Sequence, residues 1–143
     1  MTKIDSWMVF LLALSFLAAI SFMDSSLLGD DNPFLGQFVN HEFLNFMGVI
    51  VTITLASTAN IHMELRRKEK EQGKEFLSRT RGAVRKSAFS LVWALFLSIV
   101  LVVVKPLLPD VEVLAAIANS FALAIMLWGV LVIFDITKLA FQL

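Results

Sequence analysis

FLNFMGVIVTITLASTANIHM, residues 43–63, runs without a break into ELRRKEKEQGKEFLSRTRGAVRK, residues 64–86. The first stretch carries no acid, lysine or arginine and is close to the roughly 20 residues a helix needs to cross about 30 Å of hydrocarbon. The second holds Arg66, Arg67, Lys68, Lys70, Lys74, Arg79, Arg81, Arg85 and Lys86, nine of the chain's 12 basic residues, against four glutamates, a net charge of +5. An apolar helix that ends in a dense Lys/Arg segment reads as a membrane span emerging on its positive, cytoplasmic side.

Three further apolar stretches of comparable length flank this pair, at 7–23, 88–104 and 113–134. Of the 143 residues 58% are hydrophobic and 17% charged, where soluble domains run about 45–50% and about 25%. Backbone groups in lipid must be satisfied within the chain, which selects helices, and the strict alternation of a membrane barrel strand is missing. The predicted fold is all-α: one polytopic unit over 1–143, with four transmembrane helices and a cytoplasmic helical hairpin that extends spans two and three. The connection 24–42 carries Asp24, Asp30, Asp31 and Glu42 and no lysine or arginine, and 105–112 sets Lys105 against Asp110 and Glu112. Both connections are therefore expected outside, with both termini in the cytoplasm and a bacterial inner membrane as the setting. The start, with Lys3 and small residues at 18–21, has features of a signal peptide, but Asp5 and the length of the apolar run favour a span.

The connections carry their own signals. Asn32-Pro33 suits an N-cap and a first helical position, so a short interfacial helix is predicted through Phe34, Leu35, Phe38 and Val39. In the basic segment, Glu64 with Lys68 and Arg67 with Glu71 are helical i,i+4 ion pairs. Gly73 is the expected turn, and Phe76, Leu77, Thr80, Val84, Ala88 and Leu91 resume a helical period that runs into the third span. Each arm is expected to project by roughly ten residues, about 15 Å. The nine bases suit anionic lipid headgroups or a cytosolic protein with an acidic surface. Nucleic acid is not expected, because glutamates interleave the bases and the segment's only aromatic ring is Phe76.

Polar residues inside spans are expensive, so their phase matters. At about 100° per residue, His41, Glu42, Asn45, Gly48, Thr52, Ala56, Ala59, Asn60 and Met63 share one face of the second span, while Thr54 and Thr58 point away and can bond their own backbone. In the fourth span Glu112, Ala115, Ala116, Asn119, Leu123, Met126, Val130, Ile133 and Thr137 form a similar stripe. Two uses fit such stripes. Small and polar residues let helices approach and bond, and the same residues can line a watery path at an oligomer axis. In the second use Asn45, Gly48, Thr52, Ala56, Asn60 and Asn119 line the path or interface, with His41 and Glu42 at an outer mouth.

Other chemistries find no support. Absent cysteine excludes disulfides, thiol redox chemistry and thiolate metal sites. His41 and His62 lie 21 residues apart on one predicted helix, about 31 Å, so they cannot share a metal or haem within a subunit. No protease, P-loop or nucleophile-elbow motif is present, and no enzyme activity, cofactor or metal is expected. The expected function is a homo-oligomeric pore or channel-like protein coupled through its basic hairpin to a cytosolic partner. The alternative is a non-conducting membrane anchor or scaffold subunit of a larger complex.

Overall fold

The computed structural model describes residues 6–72 and 76–141, with the side chains at 72 and 76–79 left aside. Among these residues there is no strand. The helices are α1 (Ser6–Met23), α2 (Ser25–Leu28), α3 (Pro33–Phe38), α4 (His41–Gln72), α5 (Phe76–Val104) and α6 (Glu112–Ala140), with a 3-10 turn at Lys105–Leu107. Four of them, α1, α4, α5 and α6, are long and apolar enough to cross a membrane. By length and composition these four helices support a membrane-protein reading.

Local chemistry explains the helix ends. Asn32 Oδ1 accepts from the backbone N–H groups of Phe34 and Leu35, and Pro33 fills the position where no N–H is needed. The predicted short helix is therefore present as α3. It stops at Phe38 and does not flow into the next span. Asn40 intervenes: its side chain donates to the Gln37 carbonyl and accepts from the Glu42 N–H at 2.8 Å, which caps the start of α4. The single-turn α2, with Asp24 accepting from Ser26 N, was not legible as a helix because four residues carry no period.

Packing centres on α6, the most buried of the four long helices, which touches α1, α2, α4 and α5. Phe43, Met47 and Val51 of α4 meet Leu91 and Ala94 of α5 and Ala122, Val132 and Ile136 of α6 in the main core. A smaller core joins Leu28 and Leu35 to Ala116, against Leu17 and Ile20 of α1. In hydrocarbon such contacts are no more apolar than lipid, so in a membrane close packing and hydrogen bonds would be what holds such helices together. Small residues serve this: Ala116, Ala118, Ser120, Ala122, Ala124 and Gly129 are buried on α6. The fourth-span stripe expected from the wheel is only partly this helix's buried face: Ala116 and Asn119 on it are fully covered. Glu112, Val130 and Thr137 on it are exposed, while small residues on other arcs are buried because α6 is covered from several sides.

The charged ends of α4 and α5 obey a different rule. Leu65 and Val84 have no exposed surface. Where water is the alternative, burying each contributes about 1.5–3 kcal/mol. Arg81 of α5 reaches Glu69 of α4 at 2.7 Å, so the two arms stay paired that far. The expected turn at Gly73 lies outside the described residues.

Candidate functional site

The face of α4 follows from what its other face buries. Phe43, Met47, Val51, Thr54, Thr58 and Leu65 turn into the subunit. Thr54 Oγ1 donates to the Ile50 carbonyl at 2.7 Å and Thr58 Oγ1 to the Thr54 carbonyl at 2.6 Å, as the sequence suggested. The opposite face therefore points out of the subunit. His41, Glu42, Asn45, Thr52, Ala56, Ala59, Asn60 and Met63 are all exposed, and Gly48 is half-buried with open space above its Cα. Asn45 and Asn60 lie 15 residues apart on α4, about 22 Å. Neither makes a side-chain hydrogen bond among the described residues. Asn60 lines a small recess of ≈ 260 Å³ with Glu64 and Lys68 at the foot of this face.

Asn119 does not join them. It is fully buried, and its Nδ2 donates to the Leu28 carbonyl at 2.8 Å and to Asp30 Oδ1 at 3.1 Å. Its own Oδ1 is buried without a partner among the described residues. Asp30 Oδ1 also takes the Lys105 ammonium at 2.7 Å. Burial pushes the Asp30 carboxyl up, but its bonds to Lys105 and Asn119 outweigh that and hold it below the ordinary aspartate value. Sequence reasoning counted Asp30 and Lys105 as loop charges and missed this pair, since 75 residues separate them and no local pattern links them. The connection after α1 folds back over the first turn of α6: a Cβ on Gly29 would come within 2.9 Å of Glu112 Cγ. Beside it Asp31, Asp110 and Glu112 join Asp30 and Lys105 around a recess of ≈ 450 Å³.

The basic residues divide by engagement. Arg67 stands between Glu64 at 3.5 Å and Glu71 at 3.7 Å, the second of these being an expected pair. Arg81 is held by Glu69, and Arg85 lies over the Phe89 ring at 5.7 Å. Arg66, Lys70 and Lys86 are exposed and make no ion pair among the described residues; Lys68 is half-buried. Lys74 lies outside the described residues, and so does the side chain of Arg79. The histidines stand at opposite ends of the apolar part of α4, His41 exposed and His62 half-buried.

A second feature missed by the sequence reading is aromatic. Trp7 and Phe10 of α1 pack on Trp128 of α6 with ring centroids 5.1 and 5.0 Å away. Their separation along the chain hides the contact. Comparison of the chain with family models, with curated proteins and with solved structures finds no match.

Proposed function

We propose that this protein is a homo-oligomeric, pore- or channel-like membrane protein in which α4 of each subunit faces a shared axis. One observation carries the reading: the small and polar face of α4 is turned out of its own subunit while its carboxamides at Asn45 and Asn60 lack partners. Left against lipid, an unpartnered carboxamide costs on the order of 1–3 kcal/mol or more. Symmetric association would place these groups against water or against each other. Gly48 and Ala56 on the same face let neighbouring backbones approach. His41 and Glu42 would stand at the outer mouth and Asn60 near the inner end. The basic arms would then project into the cytoplasm, where Arg66, Lys70 and Lys86 suit an acidic protein surface. The face offers no paired acid and base, which favours a conducting or binding role over an enzymatic one.

Native mass spectrometry of the full chain in detergent tests the assembly, and planar-bilayer recording tests conduction. A species of several identical chains is expected, with a conductance that Asn45→Leu and Thr52→Leu both reduce severalfold. Stoichiometric co-purification of a different integral protein, with no conductance, would instead favour the anchor or scaffold reading, in which the same α4 face meets another chain.

A further inference from the structure

α1 and α5 both pack on α6, and between them lies a groove of ≈ 470 Å³. Its volume is within the range of about 300–1,000 Å³ typical of small-molecule sites. All three tryptophans of the chain, Trp7, Trp93 and Trp128, line it, together with aliphatic residues such as Leu97 and Leu101. Ser90 is also in the wall, and its Oγ accepts the Trp128 indole N–H at 2.7 Å. The Trp128 indole donor is thus already spent, and apart from Ser90 and the three indoles the wall is aliphatic or phenyl, which suits a hydrocarbon occupant. The α5 wall runs through Ser90, Ala94, Leu97, Leu101 and Val104, a helical stripe of about 21 Å.

One turn before Ser90 the same stripe continues to Lys86, which is exposed and makes no ion pair among the described residues. Helical side chains lean toward the N-terminus of their helix. The Lys86 stem therefore extends the apolar wall past the tryptophan end and carries its ammonium beyond it. Asp135, the acid at this end of α6, is engaged by Ser6 Oγ at 2.9 Å. A trough rich in indoles near one end, with a cation just outside that end, forms a headgroup-to-tail sequence.

We infer that the groove holds one acyl chain of an anionic phospholipid, with Lys86 at its phosphate headgroup. Basic residues bordering a cleft between membrane helices select such headgroups. α4 contributes no residue to the lining, so the inference stands apart from the axis proposed above and rests only on membrane embedding.

The tryptophans report on their own site. The full chain is reconstituted in phosphatidylcholine vesicles containing a small fixed fraction of lipid brominated on its acyl chains, either phosphatidylglycerol or phosphatidylcholine. Bromine quenches indole fluorescence on contact. Brominated phosphatidylglycerol is expected to associate roughly fivefold more strongly than brominated phosphatidylcholine, the preference one well-placed lysine supplies. Lys86→Gln should remove that preference and leave quenching by phosphatidylcholine unchanged. Arg66→Gln, which removes an equal charge from α4, should keep it. Equal quenching of the wild type by both lipids, a preference surviving Lys86→Gln, or equal losses in the two variants would each overturn the inference. So would the absence of quenching by either lipid, which would mean that protein, such as a second copy of this chain, covers the groove.

Discussion

α4 and α6 carry the same kind of sequence signal and use it in opposite ways. Each is an apolar helix of about 30 residues with a stripe of small and polar side chains. On α6 Asn119 and Ser120 face inward and find partners. Asn119 binds the Leu28 carbonyl and Asp30, and Ser120 meets Ser21 Oγ at 2.7 Å. Since the Ser21 hydroxyl donates to the Leu17 carbonyl, Ser120 is the donor of that pair. On α4 the threonines that face inward are satisfied by their own helix, while Asn45, Thr52 and Asn60 face out. A polar stripe thus marks a face that needs company, and the company is intramolecular for one helix and unfilled within the subunit for the other.

The sharpest way to break this contrast is at the hub itself. Trp128 fixes α1, the least buried of the long helices, to α6 through Trp7 and Phe10. Trp128→Ala should cost about 3 kcal/mol, read as a lowered thermal midpoint in detergent. A loss under about 1 kcal/mol would mean that α1 is held by other contacts. The contrast is sharpened by removing one asparagine from each stripe. Asn119→Leu strands the Leu28 carbonyl and should destabilise the subunit by about 2 kcal/mol, somewhat offset because the unpartnered Oδ1 goes as well. Asn45→Leu should leave subunit stability within about 0.5 kcal/mol, as expected for an exposed site, while weakening self-association and conductance. Equal effects of the two on stability would erase the distinction between the stripes.

The smallest effect concerns pH. The Asp30 carboxyl is held below its ordinary value of 3.8 in the folded chain. Its bonds to Lys105 and Asn119 therefore contribute stability that is fully present above that value and lost as pH falls through the lowered folded one. Because the Asp30 side chain is about half exposed (52%), the loss should stay below about 1 kcal/mol. Lys105→Met should shrink this acid-dependent part of the unfolding curve. An unchanged curve would show that Asn119 alone holds the carboxylate.

Much of the fold was legible because its signals are local. The four apolar runs became α1, α4, α5 and α6, and Asn32-Pro33 announced α3 through one side chain and one missing N–H. Thr54 and Thr58 pointed away from the Asn45 face in the sequence and do so in the fold, because 3.6 residues per turn is a property of the backbone alone. The phase of a stripe could be read in the same way. Its side could not, since the wheel orders residues around a helix without saying which arc meets a neighbour. α6 shows this most plainly, where small residues on several arcs are buried together because four helices close around it.

By itself, then, the amino-acid sequence determined the four long apolar helices, their approximate spans, the capped start of α3 and the uneven distribution of charge, all of which depend on residues a few positions apart. Only the tertiary structure decided that Asn119 closes on Leu28 and Asp30, that Lys105 pairs with Asp30, and that Trp7, Trp93 and Trp128 share one groove. Those contacts join residues dozens of positions apart, and their existence depends on how whole helices are placed. In a membrane that placement is set by close packing and a few hydrogen bonds, because lipid leaves little hydrophobic drive to bring one apolar helix to another.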